Sequence, residues 1–356
     1  MSVVVFACED ADALGGVQLV THTVAQGLAL RGHQVHVVGL RRARAPVRHI
    51  ERPLYERHLA AGGPGGGRQA ARRRFARLLG DVGPGFAVLT SPAVVSWVAD
   101  LLPPRLRSIG QYHGSFEHAR ATRHFAQVRR AYPALDQAVF LSGDDAWRFA
   151  EEAPLPNATH LPNPLRAWPD ATSYLDVPRV LGVGRLVPVR RFDRLITAFA
   201  RAARNRAAWE LHLVGQGPEL PRLRAHAAAL GVAGRVVFRG AVPAAEVGRE
   251  YLNAAVLGMT GEHEGFPLAV AEAASYGMPA VAFAVSGGVR SLVADGSTGV
   301  LVPPGDVEAF TAALSALMAD PARRRRLGAA ARRHVAAFRV EKVVDAWEEL
   351  FARLAR

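Results

Sequence analysis

The stretch Glu264-Gly265-Phe266-Pro267-Leu268-Ala269-Val270-Ala271-Glu272, followed by Gly277-Met278-Pro279, decides how the rest of the chain is read. An apolar, strand-like run from Ala254 to Met259 feeds it through a short loop, Thr260 to Phe266. Pro267 stands where the first residue of a helix belongs, because its missing N–H costs nothing there and its fixed φ suits a helix start. The helix is expected to reach about Tyr276 and to stop at Gly277. Glu264 then lies in the loop at the positive end of the helix, and Glu272 about two turns in.

Two carboxylates so spaced admit two chemistries. Glycosidase pairs stand about 5 to 10 Å apart across one bond. Eight helical residues would span about 12 Å at 1.5 Å per residue. That is too far for one scissile bond but suits the two ends of a larger ligand. A glycosyl nucleotide has such ends, a sugar and a ribose, and its diphosphate would sit over the helix N-terminus. For either Glu alone, a helix cap and a solvated face residue are the simpler explanation.

The chain has 356 residues, which sets an expectation of two domains. Half of the residues are hydrophobic, as in globular proteins. No apolar run is long enough for a membrane span, and the start of the chain reads as a strand, Val3 to Ala7, without a basic leader. Cys8 is the lone cysteine, expected to be a small buried hydrophobe, so a reducing cytoplasm is the default location.

The net charge is +13, and Lys342 is the sole lysine, so the basic side chains are otherwise all Arg. Residues 31–77 hold twelve Arg against Glu51 and Glu56, a local +10. Nucleic-acid readers interleave aromatics with such residues. Only Tyr55 and Phe75 occur here, so no nucleic acid is expected. The stretch points to an anionic membrane surface at the inner face of the membrane or to an acidic acceptor. A solvated Arg-rich surface accounts for it equally.

Strand-like and helix-like segments alternate. Val3–Ala7, the Gly15-Gly16 turn, a helix from Val17 to Leu30 and a strand at Val35–Leu40 form a βαβ unit. Such units make parallel sheets with ligands at the strand C-termini. Ala61 to Gly67 is Gly-rich and reads as a mobile loop. Ser142 to Asp145 reads as a capping box. The Pro-rich stretch from Leu161 to Pro178 reads as a linker. A second alternation begins at Arg179 and runs through Glu210–Val214, Val236–Arg239 and Ala280–Phe283. The last helix, Glu341 to Leu354, carries one wide apolar stripe. The fold class read is α/β, two Rossmann-like doubly wound domains facing a cleft. The first spans 1–168 with the helix 341–356 packing back on it, and the second spans 175–340.

Several residues invite chemistry. Arg185 and Arg190 follow the first strand of the second domain, where guanidinium groups can grip diphosphate oxygens. His113 closes a strand of the first domain and could bond a sugar hydroxyl, although a lone His is more often structural. Gly15-Gly16 can offer amides to a phosphate but is equally a turn. Gly215-Gln216-Gly217-Pro218 is a strand-to-helix turn in which Pro218 marks the helix start. No Walker loop, Ser-His-Asp pattern or metal-ligand spacing is read. An Asp-x-Asp pair is taken to be absent, so the protein is expected to need no metal or other cofactor.

Together these residues resemble the GT-B glycosyltransferases, in particular the retaining family GT4. The resemblance runs through Leu14-Gly15-Gly16-Val17, His113, Leu161-Pro162-Asn163, Gly184-Arg185-Leu186, Val214 to Pro218, Glu264 to Glu272 with its E-x7-E spacing, Gly287-Gly288 and Asp295 to Gly299. It implies a donor site mainly in the second domain. Arg185 and Arg190 would hold the diphosphate and Glu272 the ribose. Glu264, Gly265, Phe266, Pro267 and Leu268 would surround the sugar, Gly15 and Gly16 would border the donor, and His113 would reach the sugar from the first domain. Arg190 stands where the family usually has Lys, Arg191 where it often has Gly, and Thr260 where Ser is common. The implied activity is retaining transfer from a UDP- or GDP-linked sugar to a hydroxyl of a glycan, lipid-linked or small-molecule acceptor. A nucleotide-sugar epimerase or phosphorylase, or a non-catalytic sugar-nucleotide-binding protein, would share the fold.

Overall fold

The computed structural model describes every residue except 62–66 and 244–245. The expected Gly-rich loop from Ala61 to Gly67 therefore lies almost wholly outside the described residues. The chain forms two compact units, Met1–Arg166 with Phe338–Arg356, and Ala167–Ala337.

The first unit is built on seven parallel strands: β1 (Val3–Cys8), β2 (Gln34–Gly39), β3 (Glu56–Leu59), β4 (Gly85–Leu89), β5 (Leu106–Gln111), β6 (Gln137–Phe140) and β7 (Ala158–His160). They lie in the order β3-β2-β1-β4-β5-β6-β7. The second unit has β8 (Arg179–Val183), β9 (Glu210–Val214), β10 (Val236–Gly240), β11 (Val256–Met259), β12 (Ala280–Phe283) and β13 (Gly299–Val302). Their order is β10-β9-β8-β11-β12-β13, again all parallel. A central parallel strand is covered on both faces and needs unbroken apolar residues. Val3 to Cys8 meets this with six buried positions, and Val256–Met259 with four. Cys8 closes β1, buried, its thiol 3.9 Å from the Thr21 hydroxyl, and burial pushes its pKa up to about 11.

The Pro-rich stretch is not slack. Leu165 N–H donates to the Phe338 carbonyl at 2.7 Å, inside the first unit. Ser173 belongs to the second, donating through its N–H to Tyr276 and through its hydroxyl to the Ala254 carbonyl. The chain passes between units at Arg166/Ala167 and at Ala337/Phe338.

The last helix, Val340–Leu354, buries Val343, Val344, Trp347, Leu350 and Phe351. Trp347 meets Phe6 edge-on at 6.2 Å and Phe351 stacks on Phe86 at 4.2 Å, so the helix closes the first unit's core. Glu348 and Asp345 accept Arg31 on the facing helix, Gly16–Leu30, just past its end. A side chain on Gly27 would run into Val344, which is why that helix–helix contact needs glycine.

Three local expectations change. Ser142 caps its helix by accepting Asp145 N–H at 3.1 Å, but the Asp145 carboxylate does not return the bond as a capping box requires. It accepts Phe116 N–H and the Ser142 hydroxyl instead, tying two loops together. The helix after β9 is Leu220–Ala229, with Glu219 at its cap and Pro221 inside its first turn, so Pro218 belongs to the turn before it. The key helix is Leu268–Ser275, with Pro267 as its extended cap at ψ 98 rather than its first helical residue. It ends at Tyr276, followed by Gly277 at φ +70, a left-handed stop that glycine adopts without strain.

Candidate functional site

In a doubly wound sheet the strand order reverses at one point, and the loops leaving the two strands there diverge to leave a crevice. In the second unit, β8 leads outward to β9 and β10 while β11 leads the other way, so the reversal lies between the neighbours β8 and β11. The loop after β8 carries Arg185, Arg190 and Arg191, and the loop after β11 carries Glu264 and opens the Leu268–Ser275 helix.

These two loops are fastened to each other. Thr260, fully buried, donates its hydroxyl to the Arg191 carbonyl at 2.9 Å, and Glu262 N–H donates to the Val189 carbonyl at 2.9 Å. Arg191 itself is left-handed, at φ 48 and ψ 43, a conformation that suits glycine far better than a branched residue. Its side chain is clamped by two Asp193 contacts at 3.0 Å and by Glu262 at 2.5 Å. Asp193 and Glu262 raise the guanidinium pKa further, so it stays charged and the strained turn is held. Asp193's carboxyl is lowered in turn, Arg191 outweighing the effect of burial.

Within that frame Arg190 donates to the Glu264 carboxylate. Glu264 is 5% exposed, and burial raises its carboxyl above the ordinary range even though Arg190 opposes this. The sequence reading gave Arg190 to the diphosphate and Glu264 to the sugar of a ligand, whereas the structure joins them as one part-buried pair. Arg185 is exposed and, among the described residues, makes no ion pair or side-chain hydrogen bond. No side chain caps the Leu268–Ser275 helix; Val270 N–H turns back to the Pro267 carbonyl at 2.9 Å, and the Leu268 and Ala269 amides before it have no intrahelical partner. Gly288 packs against the loop from the other side, where a Cβ would overlap the Gly265 carbonyl.

Glu272 sits in the second turn, half-buried, and accepts the Tyr251 hydroxyl at 2.6 Å. Only Leu268 to Glu272 of the interval from Glu264 is helical, so the rise of eight helical residues does not apply to it. Sequence reasoning missed Tyr251, which is fully buried and stacks on Tyr276 at 5.3 Å. No spacing rule links it to Glu272.

His113 and Gly15-Gly16 belong to the first unit. Gly15 is the uncapped N-cap of the Gly16–Leu30 helix, and a Cβ on Gly16 would meet nothing within 4 Å. The preceding loop is held by two histidines the sequence reading did not single out. His22 contacts the Tyr55 hydroxyl at 2.5 Å and the Ala11 carbonyl at 2.8 Å, and His49, stacked on it at 5.0 Å, reaches the Ala13 carbonyl at 3.0 Å. Burial lowers His22 to about 4. His113 lies two residues past β5 with both ring nitrogens buried and without a hydrogen-bond partner. Burial pushes it down to about 4, only partly offset by Asn163, whose side-chain carbonyl is also buried and unpartnered. Buried polar atoms without partners are uncommon and ask for a ligand or another explanation.

Two readings need correction. Asp10-Ala11-Asp12 is an Asp-x-Asp sequence. Its carboxylates are engaged, Asp10 accepting Gln18 at 2.8 Å and Asp12 pairing with Arg57. The local +10 of residues 31–77 is also partly answered from outside that window. Arg31 pairs with Asp345 and Glu348, Arg41 with Glu9, Arg57 with Asp12 and Arg72 with Asp100. Among the described residues no helix is long and apolar enough to cross a membrane.

Two doubly wound parallel sheets, one with paired charges and an open helix N-terminus at its reversal point, define the GT-B class. The fold agrees with that of Anabaena HepE, solved with UDP and glucose, at a TM-score of 0.80 and 17% identity over 99% of this chain and 100% of that one. Residues 169–334 match the family described as Glycosyl transferases group 1, and residues 14–167 match Glycosyltransferase Family 4. The chain belongs to this GT4-type family of GT-B glycosyltransferases. It is similar to an exopolysaccharide phosphotransferase of Streptomyces coelicolor, 34% identical over 75% of this chain and 28% of that protein. It is also similar to a GDP-mannose-dependent alpha-(1-6)-phosphatidylinositol monomannoside mannosyltransferase of Mycolicibacterium smegmatis, 35% identical over 58% of this chain and 59% of the relative. The chain thus spans less than two thirds of either relative's length.

Proposed function

We propose that the chain transfers a sugar from a nucleoside-diphosphate sugar to an acceptor hydroxyl, with retention of configuration. The observation that carries this is the part-buried Arg190–Glu264 pair beside an uncapped helix N-terminus and an unpartnered Arg185. Two guanidinium groups and free amides suit a diphosphate, and no protein nucleophile is needed. The bond from the sugar's anomeric carbon to the diphosphate oxygen breaks, its electron pair leaving with the nucleoside diphosphate. The acceptor oxygen bonds that carbon from the same face, and its proton passes to a diphosphate oxygen. Arg185 and Arg190 offset the charge that grows on the leaving group. Glu264 holds Arg190 in place and borders the sugar, with Gly265, Phe266, Pro267 and Leu268 around it. Glu272, oriented by Tyr251, takes the ribose hydroxyls.

The donor nucleoside is uridine or guanosine: one relative's name specifies GDP-mannose, and a structural neighbour was solved with UDP. The acceptor is a glycan, a lipid-linked saccharide or a small molecule. The exposed Arg42, Arg44, Arg48 and Arg52 beside exposed Leu54 would rest on an anionic membrane surface. The reaction needs no metal at the donor. A panel of UDP- and GDP-sugars, with and without candidate acceptors and chelator, tests all of this through nucleoside-diphosphate release. Release that requires an acceptor and survives chelation is expected. Epimerisation of donor alone, or binding without release under every acceptor, would reject it.

A further inference from the structure

We propose that His36, Glu56 and His58 form a divalent first-row metal site, best suited to Zn2+, at the edge of the first unit's sheet. His36 Nδ1 lies 3.1 Å from His58 Nε2, and the Glu56 Oε2 lies 3.5 Å from the first and 3.4 Å from the second. Tetrahedral Zn2+ with bonds of about 2.0–2.1 Å sets its donor atoms about 3.3 Å apart, since a tetrahedron's edge is about 1.63 times its centre-to-vertex distance. The three atoms therefore trace one face of such a tetrahedron.

Hydrogen bonding alone explains the triangle poorly. A single proton can join the two imidazoles. The carboxylate oxygen, at 3.4 and 3.5 Å, is beyond the usual 2.7–3.2 Å range for N–H···O bonds to either ring. Both distances are ordinary between ligands of one ion.

Rigid strands place the donors. Glu56 is the register partner of His36 across the parallel β2–β3 pair, and His58, two residues on, shares Glu56's face. Arg57 points the other way and pairs with Asp12. His36 is 3% exposed, so its ring is shielded from competing solvent. The Glu56 side chain is 60% exposed, leaving the fourth position open to water. His36 is mid-strand in β2, and Glu56 and His58 span the first three residues of β3, so the triad sits on the sheet edge formed by β3. β3 is a short, largely exposed edge strand with a polar sequence, and an ion bridging it to β2 would staple that edge.

The test uses untagged full-length protein, stripped with chelator and titrated with Zn2+ by calorimetry and with Co2+ by visible absorption. One ion per chain, the ligand-field bands of four-coordinate Co2+, and a higher melting temperature with Zn2+ are expected. His58→Ala and Glu56→Ala, at partly exposed positions, should each weaken Zn2+ binding at least tenfold and abolish the melting shift. Absence of saturable one-to-one binding by the wild type at about 100 µM Zn2+ overturns the proposal. So does unchanged affinity in the double variant, which would place the ion elsewhere.

Discussion

Removing either member of the Arg190–Glu264 pair should destabilise the second unit by different amounts, because the partner left behind differs in its access to water. Arg190→Ala strands a carboxylate that is 5% exposed, whereas Glu264→Gln strands a guanidinium whose side chain is 34% exposed. Breaking a buried pair costs about 3–5 kcal/mol when the remaining charge is buried. Solvent screening reduces this to about 1 kcal/mol when the remaining charge can be hydrated. We expect about 3 kcal/mol for Arg190→Ala and about 1 kcal/mol for Glu264→Gln. At about 2–4 °C per kcal/mol for a unit of this size, the melting temperature should fall by about 6–12 °C and 2–4 °C, respectively.

The difference should also depend on pH. Burial raises the Glu264 carboxyl, so the folded state holds its proton more tightly than the unfolded chain does. Stability from this group therefore falls as pH rises from the unfolded value, near 4.3, through the folded one. Without Arg190 the carboxyl moves higher still, and the penalty extends toward neutrality. The Arg190→Ala deficit should be largest at the alkaline end and shrink as pH falls and Glu264 protonates. Melting curves of wild type and both variants across pH 4 to 8 decide the matter. Equal losses in the two variants, or an Arg190→Ala deficit that ignores pH, would refute the reasoning.

Three further outcomes follow from the same structure. Arg185→Ala should lower turnover at least tenfold with little change in melting temperature, since the side chain is exposed and unpartnered; steady-state kinetics with the preferred donor checks this. Trp347→Ala, which empties a fully buried position against Phe6 and Phe351, should cost about 3–5 kcal/mol, read by urea unfolding of the first unit. His22 and His113 are both held near 4, so as pH falls below about 6.5 the unfolded chain takes up their protons first. Stability of the first unit should drop by about 1.4 kcal/mol per pH unit for each of them down to pH 4, and His113→Asn should remove one proton's share of that slope in urea titrations.

The alternation of apolar strands and amphipathic helices was legible because central parallel strands such as Val3–Cys8 cannot be polar. The loop and helix around Glu264 were legible because proline and glycine mark their ends. The short edge strand Glu56–Leu59 was not, since it has no apolar period and exists through pairing with β2. Its histidine and glutamate meet His36 only through that register, so the triangle of donors left no local spacing to find. The Arg190–Glu264 pair was hidden for a related reason, as 74 residues separate two loops that adjacent strands bring together. The local charge of residues 31–77 overstates what is free, because Arg31, Arg41, Arg57 and Arg72 find their acids outside the window that was counted.

The most direct measurement is a crystal structure of the chain with a non-hydrolysable UDP- or GDP-sugar. The account predicts diphosphate oxygens within about 3 Å of Arg185, Arg190 and the first amides of the Leu268–Ser275 helix, with the ribose on Glu272. A donor bound elsewhere, or bound here with those side chains turned away from it, would contradict it.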